Sequence, residues 1–269
     1  MIWMMLLAVK PASYAQNDSL FKVLTTINYP VSSFDVGSSG ELYIIDTQGQ
    51  LKKFNEKGDS VGVFNQVTRY GKLGYVVARN PWKTLLFYDN FSTIVMLDKY
   101  MKVLGSINLR AKNLLGVKAI TASYDNQIWL FDERESKLKK IDDTGNTLSE
   151  TVDFRTLFTE VPTPAKIIDH EGFVYLLDPK KGLYIFDYYG SLQSSLPYTG
   201  WKTFAVIGKS VYGFDSASLY KYTPPLPQTE VYTLPEKLKN PTSLKLTQQK
   251  IYLLKDQQLN IYSLQSIIQ

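Results

Sequence analysis

Apolar runs of about five residues recur along the chain at near-constant spacing, each with an aromatic near its centre and five of the six ending in Asp. They are Leu42 to Asp46, Leu85 to Asp89, Ile128 to Asp132, Val174 to Asp178, Val211 to Asp215 and Ile251 to Lys255. Successive ends are separated by 43, 43, 46, 37 and 40 residues. Runs this short, rich in β-branched and aromatic residues and bounded by turn formers, are strands rather than helices. A strand pattern repeating at about 40 residues predicts a ring of four-stranded blades, because one such sheet cannot bury both of its faces alone.

Flanking runs complete each unit. Inner strands are expected at 32–36, 74–78, 118–122, 165–169, 203–207 and 242–246, and third strands at 51–55, 94–98, 138–142, 183–187, 219–223 and 259–263. Outer strands follow at 59–64, 102–109, 147–154, 191–198 and 229–234. The sixth unit runs out of chain before its outer strand. Residues 20–28 (LFKVLTTIN), which resemble KVLGSIN of the second unit, are expected to supply it and close the ring. The fold class is therefore all-β: a six-bladed β-propeller closed by an N-terminal strand, with residues 16–269 as one domain. The Asp series fits turn capping, since a carboxylate at a strand end accepts nearby backbone N–H groups.

Composition narrows the chemistry. The 269 residues carry 13% aromatics, 20% charged residues and a net charge of +5 spread along the chain, weak grounds for a nucleic-acid partner. With no Cys, disulfides, thiolate metal sites and thiol nucleophiles are excluded. Residues 1–9 are apolar, and Ser13-Tyr14-Ala15 places small residues before Gln16; 1–15 reads as a signal peptide lacking a basic start, with export to the periplasm and no insertion of the mature chain into the membrane. His170 is the sole histidine; it is expected in a solvated turn, so neither a two-His metal motif nor a Ser-His-Asp triad is expected. The inner strands read as an apolar channel (Val76, Val77, Ala78, Ile120, Ala122, Ile167, Ile168, Ala205, Val206), with Asp35 and Asp169 its only acidic candidates, too few for calcium. No catalytic residue, metal or cofactor is expected, and in Lys52-Lys53 and Lys139-Lys140, which fall in third strands, one residue of each pair is expected to face out as solvated blade surface.

The long connections between blades offer the residue types common in protein hot spots. Arg69, Tyr70, Phe91, Arg110, Leu114, Leu115, Arg155, Phe158 and Trp201 are the candidate partner-binding residues.

The segment Gly40-Glu41-Leu42-Tyr43-Ile44-Ile45-Asp46, with the turns Gly58-Asp59, Gly145-Asn146 and Gly190-Ser191, resembles the NHL and six-bladed propeller families exported by Bacteroidota. That resemblance implies fold and carries no catalytic residue. Within the group, the chain is similar in length, absent Cys and lack of an added domain to the periplasmic plug proteins of type 9 secretion, which implies a partner in a large outer-membrane translocon barrel. A calcium-dependent propeller hydrolase or lyase and a glycan-binding propeller are the alternatives.

Overall fold

The computed structural model describes residues 21–224 and 228–264. The expected signal segment 1–15 lies outside them. Six four-stranded antiparallel sheets follow one another around a ring. Strand β1 (Phe21–Ile27) comes first, and the blades follow in chain order. Blade 1 holds β2 (Val31–Val36), β3 (Leu42–Asp46), β4 (Leu51–Phe54) and β5 (Ser60–Phe64). Blade 2 holds β6 (Tyr75–Asn80), β7 (Lys83–Tyr88), β8 (Thr93–Leu97) and β9 (Val103–Asn108). Blade 3 holds β10 (Ile120–Ala122), β11 (Ile128–Asp132), β12 (Lys137–Ile141) and β13 (Thr147–Glu150). Blade 4 holds β14 (Lys166–His170), β15 (Phe173–Asp178), β16 (Gly182–Asp187) and β17 (Leu192–Leu196). Blade 5 holds β18 (Thr203–Ile207), β19 (Ser210–Phe214), β20 (Ser218–Tyr222) and β21 (Thr229–Thr233). Blade 6 holds β22 (Ser243–Leu246), β23 (Lys250–Lys255) and β24 (Gln258–Leu264). Its outer strand is β1, paired antiparallel to β24 from Phe21↔Leu264 to Ile27↔Leu259, which closes the ring as the sequence predicts.

The second strands are buried on both faces because each is sandwiched between neighbouring blades. Their side chains form clusters that span adjacent blades, such as Tyr43, Ile45 and Leu51 of blade 1 with Val76, Leu86 and Val95 of blade 2. The Asp series caps turns: Asp46, Asp132, Asp178 and Asp215 each accept backbone N–H groups two to four residues on. The third-to-fourth-strand turns repeat the device at Asn55, Asp98, Asp142 and Asp187, whose side chains accept from the N–H groups two and four residues later. Hydrogen bonds from the Thr144 hydroxyl and the Asn146 N–H hold Asp142 down at about 2.

Gly213 is the exception in the central-strand pattern. A Cβ there would lie 2.1 Å from the Trp201 indole, which is 2% exposed and stacked on Tyr198 at 4.4 Å. The missing side chain is what lets the indole lie against the sheet. Gly213→Ala is expected to lower stability by about 1–3 kcal/mol through overpacking, measured by urea unfolding; an unchanged midpoint would mean the indole moves aside freely.

Candidate functional site: the central channel and the hairpin face

A ring of blades has two unlike faces. One carries the connections between blades and the second-to-third-strand turns. The other, here called the hairpin face, carries the first-to-second and third-to-fourth-strand turns. The channel runs between them and holds a cavity of about 510 Å³.

The channel wall is less apolar than the sequence reading: Val76, Val77, Ile120, Ile167, Ile168, Ala205 and Val206 line the cavity as expected, but charged side chains share it. Inner-strand side chains point alternately toward the core between blades and toward the channel. Val76, Ala78, Ile120, Ala122 and Ile167 pack into the core clusters between blades, and of these Val76, Ile120 and Ile167 also border the cavity. The positions between them include Arg79, Lys166, His170 and Lys245, which line the cavity. Both acidic candidates are consumed by partners. Asp35 accepts from the Ala78 N–H at 2.8 Å and pairs with Lys245. Asp169, fully buried, accepts from Trp129 Nε1 at 3.1 Å, Tyr188 OH at 2.8 Å, Ser123 Oγ at 3.2 Å and the Tyr124 N–H at 3.4 Å, and pairs with Arg79 at 3.2 Å. Burial, then the bond to Asp169, pushes the Tyr188 phenol well above its ordinary range. Among the described residues no three His, Asp or Glu side chains converge. His170 is the last residue of β14 rather than a free turn residue, and its Nε2 lies 3.0 Å from the Gly208 carbonyl.

In each of the two lysine pairs one residue is buried, as strand alternation predicts, and the other is half-buried. Lys53 donates to the Lys99 carbonyl at 3.0 Å. Lys139 sits between Asp132 at 3.2 Å and Glu135 at 2.7 Å. Burial opposes its charge, but the bonds it donates to Glu135 and Asp132 outweigh that and raise its pKa.

The nine candidate partner-binding residues all lie on the inter-blade side. Tyr70, Leu114 and Trp201 are buried in the joints between blades and offer no surface. Leu115 and Phe158 are half-buried, Phe158 with its ring edge against Phe154 and Tyr184. Arg69, Arg110, Arg155 and Phe91 are exposed. Arg69 and Tyr70 lie on a short helix α1 (Val67–Tyr70), Arg110 on a 3-10 turn (Arg110–Lys112), and Arg155 on α2 (Phe154–Leu157), where Asp153 holds its guanidinium at 2.5 Å.

The hairpin face was not singled out by the sequence, yet among the described residues it holds five of the six most exposed aromatics: Trp82, Tyr100, Tyr124, Phe173 and Tyr189. All five belong to blades 2 to 4. Phe91 alone lies on the other face. Three of them are held in two groups. Lys99 Nζ sits 4.5 Å from the Trp82 ring centre and 4.9 Å from that of Tyr100. Tyr124 stacks on Tyr188 at 4.7 Å, with Lys140 Nζ 5.0 Å from the Tyr124 ring. Asn80 and Asn126 bond to each other between the groups. The buried Asp169 anchors the second group from beneath through Tyr188, the Tyr124 N–H and Trp129.

No protein-family model and no curated protein matches the chain. Solved structures do. A catalytically inactive virginiamycin B lyase from Staphylococcus aureus, crystallised with quinupristin, is 14% identical over 87% of this chain and 80% of that one, with a TM-score of 0.63. The Neurospora crassa Pan2 WD40 domain is 12% identical over 94% and 98%, with a TM-score of 0.57. A protein of unknown function from Bacteroides caccae is 10% identical over 72% and 77%, with a TM-score of 0.53. At these identities the likeness is one of fold.

Proposed function

We propose that the chain is a non-catalytic, exported interaction propeller of the cell envelope that docks on another envelope protein through the hairpin face of blades 2 to 4. The observation that carries this reading is the set of five exposed aromatics on one face, three of which, Trp82, Tyr100 and Tyr124, are braced by Lys99 and Lys140. Rigid aromatic anchors supply large contact area at low entropic cost, the profile of interface hot spots. The channel carboxylates, by contrast, are consumed in joining blades. The specific form suggested by the family resemblance is a disc seated at the periplasmic mouth of the type 9 secretion barrel.

A tagged chain isolated from gently solubilised envelopes tests this. One large outer-membrane barrel is expected in stoichiometric amounts. Loss of Trp82, Tyr100, Tyr124 and Tyr189 to Ala together is expected to weaken that recovery at least about tenfold, since hot-spot anchors each contribute more than 1 kcal/mol. The thermal midpoint should stay within a few degrees, because these side chains are exposed. If Arg69→Ala, Phe91→Ala and Arg155→Ala abolish recovery and the aromatic set does not, the docking face is the opposite one. A second reading, glycan binding, is favoured by the Asn80–Asn126 pair lying among the aromatics. Saturable binding of peptidoglycan fragments that the aromatic set removes, with no protein recovered, would select it.

A further inference from the structure

Lys166 opens β14 at the channel wall and reaches across to blade 5. Its Nζ donates to Thr203 Oγ1 at 2.7 Å and to the Phe204 carbonyl at 3.0 Å. An ammonium has three N–H groups, so one remains for the cavity. No carboxylate among the described residues forms an ion pair with it. The charged or titratable groups that share the cavity are Asp35, Tyr75, Arg79, His170, Lys202, Asp215 and Lys245, the Tyr75 hydroxyl being bonded to the Lys118 carbonyl and the Ile120 N–H. Of the two carboxylates, Asp35 is taken by Lys245 and the Ala78 N–H, and Asp215 by the N–H groups of Ala217 and Ser218 and the Tyr220 hydroxyl. The wall is therefore left with excess positive charge beside apolar surface from Val77, Ile168, Ala205 and Val206. A cavity of about 510 Å³ with apolar walls and a few converging polar groups has the size and character of a small-molecule site.

We infer that the central channel binds a small organic acid, its carboxylate on Lys166 Nζ and its apolar body against Val77, Ile168 and Ala205. Burial pulls the Lys166 pKa down to about 8, Lys245 pushes it the same way, and Asp35 partly offsets them. A bound carboxylate would reverse that shift, because an opposite charge favours the ammonium. Binding should accordingly be full below about pH 8 and fall roughly tenfold per unit above it, as Lys166 loses its proton.

Benzoate, with neutral benzamide as its isostere, tests the proposal on the whole chain by calorimetry at pH 6.5. Benzoate is expected to bind one site with a Kd below about 1 mM, and benzamide at least tenfold more weakly. Lys166→Met is expected to weaken benzoate binding at least tenfold. Ala205→Leu, which fills the channel and leaves the lysine in place, should do the same and carries the test if Lys166→Met does not fold. In ¹³Cε spectra of the lysines, benzoate should raise the Lys166 titration point by about one unit for each tenfold preference for the charged form. Equal binding of benzamide, benzoate binding untouched by either variant, or no saturable binding of benzoate to the folded chain would each overturn it. The last two would leave Lys166 a strut between blades 4 and 5.

Discussion

Asp169→Ala is expected to cost about 3–5 kcal/mol of stability, the range for removing one partner of a buried charged network. The reason lies in how many donors the carboxylate satisfies at once. Arg79 comes from blade 2, the Ser123 hydroxyl, Tyr124 N–H and Trp129 indole N–H from blade 3, and the Tyr188 hydroxyl from blade 4, where Asp169 itself resides. Truncation strands these donors in a place where Asp169 has no exposure to solvent. Arg79 is not the main term, because its side chain is 36% exposed and can rehydrate. Arg79→Met alone should cost under about 1 kcal/mol, as for a partly solvated ion pair. Asp169→Asn keeps the shape and one acceptor oxygen but turns an NH2 toward donors, and should fall between the two. For a chain of this size 3–5 kcal/mol lowers the thermal midpoint by roughly 10 °C. Urea unfolding of the three variants decides it: a loss below 1 kcal/mol for Asp169→Ala would show that water takes over the carboxylate's role. The same variant should loosen the Tyr124–Tyr188 stack, so partner recovery should fall with stability in Asp169→Ala and without it in the aromatic variants.

The blade plan was legible because each strand is short, apolar and fenced by turn residues, so the period survives whatever packs on it. The Asp turn caps at the second-strand ends were legible for a local reason: each acts within four residues of its own position. The channel was not, because apolar residues such as Val77, Ile168 and Ala205 also occupy its wall and mask the alternation between core and channel positions. Lys166 and His170 flank Ile167 and Ile168, and Lys245 lies between Leu244 and Leu246. That alternation was the available signal, and a search for acidic ligands alone passed over it. The hairpin-face aromatics also left a trace: Trp82, Tyr100, Tyr124 and Tyr189 sit in otherwise polar turns, where a large ring has no local role. Exposure of a turn depends on the neighbouring blade, however, and that is a tertiary fact. The same dependence buried Tyr70, Leu114 and Trp201, whose connections looked open in sequence and are filled by the joints they span.

Removing the closing strand should have the largest effect of all. A chain beginning at Tyr29 is expected to lose its monomeric fold, whereas one beginning at Gln16 keeps it. Strand β1 is held chiefly by its backbone: its central side chains are exposed, with Val23 and Leu24 47% and 48% accessible, and its pairing is with β24 alone. Its deletion uncovers the full edge of β24, the longest strand beside β1, and an unpaired apolar edge recruits other chains. It also removes Phe21 from the cluster formed with Leu234, Leu238, Tyr262 and Leu264, opening the joint between blades 5 and 6. A large-to-small change at such a buried Phe alone costs about 3–5 kcal/mol. Light scattering should therefore find the shortened chain in oligomers, with a broad and lowered melting transition. A monomer with an unchanged midpoint would show that blade 6 is stable with three strands and that closure is dispensable. Because the lost contacts are mostly main-chain, a peptide of sequence LFKVLTTIN added in trans should dock on β24 as an added strand and restore the monomer. Rescue by the peptide, and its failure when Thr25 is replaced by proline, would separate loss of closure from loss of the Phe21 side chain: Phe21 would be present in both peptides, and only the ladder would differ.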